Sequence, residues 1–148
     1  MEFIGKLRAK AIYIGAAADL FGSILATLVL GVIWGIHYVM TSNLSAPPTP
    51  EKMAEVVAGS TSFMVASLIV GLVFSALGGF VTAWLAKENE MPNALVLGGA
   101  MTIMGALTTA LGPPLYPDWY LIASFSLVLP ATMLGARLRL ATKVWGLK

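Results

Sequence analysis

The sequence predicts an all-α integral membrane protein, built as a bundle of four transmembrane helices with its N- and C-termini in the cytoplasm. The first observation behind this prediction is the composition. The chain has 148 residues, of which 58% are hydrophobic and 11% charged, and its mean hydropathy is +0.86. Soluble domains carry about 25% charged residues, so a soluble fold of this composition would lack the polar side chains needed to cover its surface.

The second observation is a set of apolar runs long enough to cross a bilayer, which requires about 20 residues each. The predicted spans, in a single membrane domain covering residues 1–148, are residues 11–40, 61–86, 94–112 and 118–137. These runs lack the strict alternation of polar and apolar residues that marks a membrane-barrel strand. The first run also exceeds the roughly 7 to 15 apolar residues of a secretory signal, so we interpret it as a retained helix.

The third observation is the distribution of basic residues. Eight of the nine Lys and Arg residues fall on one side of the predicted spans, and only Lys52 falls on the other. Cytoplasmic segments of membrane proteins carry an excess of Lys and Arg, which predicts cytoplasmic termini and a multi-pass location in a bacterial inner membrane. The net charge of +2 then needs no nucleic-acid partner. The chain has no cysteine, so thiolate zinc sites are excluded.

The segments between the spans are short. The predicted outer loop, residues 41–60, contains a short helix over about 50–57, with Thr49 as its N-cap and Pro50 in its first turn. On the other side, KENEMPN forms a hairpin between the second and third spans. We interpret Glu88 and Glu90 in this hairpin as solvated side chains, because a catalytic carboxylate usually requires a pocket that shifts its pKa.

Small residues recur every three or four positions, which places them on single faces of the predicted helices. Apolar lipid does not drive apolar helices together, so close approach over small residues is the main source of packing. The predicted helix-packing residues are Gly22, Gly31, Gly35, Gly71, Gly78, Gly98, Gly105 and Gly112. Pro130 lies in the middle of the fourth span, where it removes a backbone hydrogen bond and predicts a kink.

Asp19 is the candidate ion or proton site, because a carboxylate inside a membrane span is expensive and usually faces the bundle interior with a partner. Its candidate partners are Arg137, Lys87, Ser23 and Thr82. The alternative is that Asp19 lies in the headgroup region near a helix N-terminus, where the helix dipole favours a negative charge. His37 is the only histidine and no second ligand shares its face, so the sequence predicts no metal site and no cofactor.

The stretches GGFVTAWLAKENEMPNALVLGG, LGPPLYPDWY and LPATMLGARLRL resemble those of small, uncharacterised bacterial four-span inner-membrane proteins, over about residues 70–140. This resemblance implies a fold but no activity. The low polar content favours a non-catalytic accessory or scaffold subunit that packs in membrane lipid against other membrane subunits or against copies of itself. The alternative is a small oligomeric transporter or channel for an ion or small solute, with Asp19 in the path.

Overall fold

A computed structural model describes residues 7–42, 48–112 and 116–144 of the chain. These residues form five helices and no strand: α1 (Ala9–Thr41), α2 (Pro50–Gly59), α3 (Thr61–Ala86), α4 (Glu90–Leu111) and α5 (Asp118–Val144). The four longer helices are long and apolar enough to cross a membrane. The prediction of an all-α bundle with four membrane spans is therefore confirmed, and the orientation of its termini stays a prediction.

Local sequence signals explain where the helices begin. The Thr49 hydroxyl accepts the backbone N–H of Lys52 at 3.4 Å and caps α2, which begins at Pro50 as predicted. The Ser60 hydroxyl accepts the backbone N–H of Phe63 at 3.3 Å and caps α3. Such caps satisfy amide groups that have no partner within the helix.

Helix α3 is the centre of the bundle, because its contacts with α1 and α5 are the two most extensive between helices in the described part of the chain, and it also packs on α4. Small side chains allow the helices to pack closely on α3. Ala83, Ala94 and Ala136 form a fully buried cluster between α3, α4 and α5. In the described part of the chain, α1 and α5 both pack on α3 rather than on each other. This arrangement leaves a gap between α1 and α5, and α3 lies at the base of the gap.

The tightest helix crossing joins α3 to α5 through two glycines that are not among the eight predicted packing residues. A β-carbon at Gly79 would overlap the backbone carbonyl of Thr132, and one at Gly135 would overlap the backbone carbonyl of Ala76. Backbone lies against backbone at both positions, and glycine alone permits this distance.

Four of the predicted packing glycines do lie against a neighbouring helix. A β-carbon at Gly78 would be 2.8 Å from the Gly15 carbonyl oxygen on α1, and one at Gly98 would be 3.3 Å from the Cα of Leu129 on α5. Gly22 and Gly105 instead lie against aromatic rings, those of Phe74 and Phe125.

The other four do not join two spans in the described part of the chain, and for them a role in helix packing stays a prediction. A β-carbon at Gly31 or Gly71 would have no neighbour within 4 Å. Gly35 lies against Met53 of the short helix α2, at 3.5 Å, and Gly112 contacts only the turn that precedes it. Spacing places a residue on a helix face but does not say whether a neighbour covers that face. The backbone stays helical through Pro130, so a kink there remains a prediction.

The start of α1, the end of α3, the start of α4 and the end of α5 meet at one end of the bundle, which we call the basic end. The Arg8 backbone N–H donates to Asn93 Oδ1 at 2.8 Å, and Lys143 forms an ion pair with Glu90 at 3.1 Å. The interpretation of Glu90 as solvated is wrong, because Glu90 is only 8% exposed in the first turn of α4, whereas Glu88 is exposed. The described Lys and Arg residues at this end are Arg8, Lys10, Lys87, Arg137, Arg139 and Lys143.

Candidate functional site

Asp19 is a buried carboxylate in the interior of α1, with 2% of its surface exposed. Its Oδ1 accepts hydrogen bonds from the hydroxyls of Ser23 and Ser75, each at 3.2 Å, and its Oδ2 has no hydrogen-bond partner. Because α1 begins at Ala9, Asp19 lies about 15 Å along the helix at 1.5 Å per residue. The inward-facing interpretation therefore fits the structure, and Asp19 does not lie at the N-terminus of the helix; its depth in the membrane stays a prediction.

The structure selects one of the four candidate partners. Ser23 contacts Asp19, whereas the Thr82 hydroxyl donates to the backbone carbonyl of Ala11 at 3.4 Å. Arg137 and Lys87 are exposed at the basic end and make no ion pair with Asp19. These two predictions are wrong because the carboxylate lies more than two helical turns inside the bundle.

Sequence reasoning missed Ser75 as a partner of Asp19. The relevant signal was present, because Ser67, Gly71 and Ser75 recur every four residues on one face of α3. Gly71 on this face was predicted to be a helix-packing residue. In the structure the face instead lines an open space, which explains why Gly71 has no neighbour.

This space is a cavity of about 200 Å³ between α1, α3, α4 and α5, which we call the Asp19 cavity. It is partly open, and the Ser67 hydroxyl and the Tyr120 phenol lie 3.3 Å apart on its wall. The cavity has room for several water molecules. Every polar side chain that lines it ends in oxygen: Asp19, Ser23, Ser67, Ser75, Tyr120 and Ser124.

The chemistry of these groups favours a singly charged cation. Carboxylate and hydroxyl oxygens are hard ligands that suit H⁺ and alkali cations. Asp19 supplies the only carboxylate in the lining, so a monovalent cation would neutralise its ionised form, whereas a divalent cation would leave a net positive charge in the bundle. Among the described residues, no group of three His, Cys, Asp or Glu side chains could hold a metal ion, and His37 is exposed.

The two ends of the Asp19 cavity differ. Toward the basic end, α1 and α3 cross in backbone contact at Gly15 and Gly78, and the fully buried Thr82 lies against Gly15. Toward the opposite end, the lining continues to Tyr120, in the first turn of α5. The carboxylate is therefore sealed on the basic side, and the polar lining extends away from it on the other.

The fold and the cavity define a multi-pass helical membrane protein with a buried carboxylate in a polar internal site. No protein-family model matches the chain, and no match was found among curated proteins or among solved structures. The geometry of the Asp19 cavity is therefore the basis on which its function is inferred.

Proposed function

We propose that the protein is a small membrane transporter or channel that carries a monovalent cation, H⁺ or an alkali ion, by binding it at Asp19. The observation that carries this proposal is the unpartnered Oδ2 of a buried carboxylate in a cavity that also presents five hydroxyl groups. An ionisable group inside a membrane span is costly and typically marks an ion path. The proposed location is a bacterial inner membrane, with the basic end in the cytoplasm.

The proposed cycle needs two states of the α1–α3 crossing. In the state described, a cation enters past Tyr120 and binds Asp19, while the hydroxyls of Ser23 and Ser75 rotate their lone pairs toward it. Release toward the basic end requires α1 and α3 to separate at Gly15 and Gly78. This movement would lift the Thr82 side chain off Gly15 and break its hydrogen bond to the Ala11 carbonyl.

Proteoliposomes provide the test. Purified protein is reconstituted and subjected to imposed gradients of H⁺, Na⁺, K⁺ or Li⁺, and the flux is followed with cation-sensitive dyes trapped in the vesicles. We expect flux of at least one of these cations well above that of protein-free vesicles made from the same lipid. Protein that is folded and inserted but carries none of the four would contradict the proposal.

A second candidate function, an accessory subunit, is supported by an apolar groove of about 1000 Å³ between α1 and α2. After Asp19, only Gly35 of α1 is fully buried, and Gly31 lies open in this groove. An open Gly31-xxx-Gly35 pair is the pattern over which a partner helix packs closely in a membrane.

Gly31→Leu tests this second candidate. The new β-carbon would have no atom within 4 Å and the side chain would extend into the open groove, so the bundle should stay folded while a partner helix is displaced. We expect a membrane protein that co-purifies stoichiometrically from mild detergent to be lost in Gly31→Leu and kept in Gly99→Leu. Gly99 is a matched control because it also lacks neighbours within 4 Å and lies on α4, away from the groove. Isolation of the wild-type protein without any such partner would argue against the accessory role.

A further inference from the structure

A second pocket, of about 230 Å³, lies at the basic end between the start of α1 and the end of α3. Arg8 and Lys10 line it together with Ala11, Ile14 and Leu85. It thus combines two cationic side chains with apolar walls from two different spans. It is separate from the Asp19 cavity, with which it shares no lining residue.

The positive charge in this pocket is not neutralised within the described part of the chain. Neither Arg8 nor Lys10 forms an ion pair there, and the buried acid at this end, Glu90, is paired with Lys143. The first turn of α1 contains no acidic residue, and the side chain of its N-cap residue, Arg8, makes no capping hydrogen bond. The positive end of the helix dipole therefore adds to the two cations, and all three attract an anion.

The walls of the pocket indicate what kind of anion binds. Ile14 and Leu85 present aliphatic surface directly beside the charges. The adjacent aromatic side chains, Tyr13 and Trp84, are 75% and 54% exposed, as expected of residues at the level of lipid headgroups. A soluble phosphate would use the cations but not the aliphatic walls, whereas a phospholipid uses both.

We propose that this pocket binds one anionic phospholipid, with its phosphate-bearing headgroup on Arg8 and Lys10 and an acyl chain along Ile14 and Leu85. Basic pockets between membrane helices are suited to such headgroups. The lipid would tie the start of α1 to the end of α3. This proposal stands independently of cation transport, because it uses different residues at a different depth.

Native mass spectrometry of the purified full-length protein tests the proposal, with phosphatidylglycerol titrated against phosphatidylcholine. We expect one phosphatidylglycerol to bind preferentially and the double variant Arg8→Gln/Lys10→Gln to bind it about 25-fold more weakly, at about fivefold for each lost cation. Arg137→Gln is the matched control, since Arg137 is exposed at the same end and does not line the pocket. The charge-preserving Arg8→Lys/Lys10→Arg variant should bind like the wild type.

Two outcomes would overturn the proposal. Equal weakening in Arg137→Gln and in the double variant would mean that the lipid responds to the general charge of this end, not to the pocket. Displacement of the lipid by millimolar glycerol phosphate would mean that the pocket recognises a soluble phosphate without the acyl chain. Because flux is measured separately, loss of lipid selectivity can be distinguished from loss of cation transport.

Discussion

Replacing Gly135 with alanine is expected to destabilise the bundle by about 3 kcal/mol or more, the upper range for overpacking a core. The added methyl group would overlap the carbonyl of Ala76 and would also crowd the backbone nitrogen of Phe80, at 2.9 Å. Both obstacles are backbone atoms of α3, which cannot move aside as a flexible side chain can. The helices must therefore separate, and the α3–α5 contact that organises the bundle is lost.

The matched control, Gly99→Ala, should change stability in the opposite direction. Gly99 lies within α4 with no atom within 4 Å of the added methyl group, and alanine is favoured over glycine in a helix by about 1 kcal/mol. The two variants add the same methyl group to different helices. Free energies of unfolding measured in mixed micelles of mild and denaturing detergent check the prediction. Equal effects of both substitutions would mean that α3 and α5 are not in backbone contact at Gly135.

Replacing Asp19 with asparagine is expected to abolish cation flux while leaving the fold intact. Asparagine has nearly the same shape as aspartate and keeps an oxygen that can accept from Ser23 and Ser75, so the packing of α1 on α3 is preserved. The negative charge that attracts the cation is lost. We expect the initial rate in proteoliposomes to fall to that of protein-free vesicles, with gel filtration and thermal unfolding close to the wild type.

Two further variants sharpen this prediction. Ser75→Ala removes one cavity hydroxyl and keeps the charge, so it should weaken apparent cation affinity with flux retained at saturating cation. Glu55→Gln, at the opposite end on the exposed face of α2, removes one negative charge far from the cavity and should leave flux unchanged. If the Asp19→Asn variant carries cations at the wild-type rate, Asp19 does not lie on the cation path. The cavity would then be a structural void.

Much of the architecture could be predicted from the chain alone. The four spans, the capping of α2 by Thr49 and the clustering of basic residues follow from composition, run length and local signals. The spans are predictable because the lipid bilayer forces long apolar segments into helices whatever their neighbours are. The small-residue faces were also recognised, although half of the selected glycines do not join two spans.

The site was only half predictable. Asp19 and Ser23 are four residues apart on one helix, so their contact follows from helical geometry. Ser75 is 56 residues away in sequence, and its contact with Asp19 depends on how α1 is rotated and how far it is shifted along α3. Glu90 illustrates the same limit, because its burial depends on the end of α5.

By itself, the sequence determined that the chain is a helical membrane protein and where its spans lie, and it singled out Asp19 without deciding whether that carboxylate is buried. Only the tertiary structure decided which glycines bring two backbones together, which hydroxyls face Asp19, and that a cavity between α1, α3, α4 and α5 stands where a packed interface was predicted. The physical reason is that span formation depends on each segment's transfer into lipid, which is a property of that segment. Helix pairing depends on complementary surfaces from distant parts of the chain, which no single segment contains.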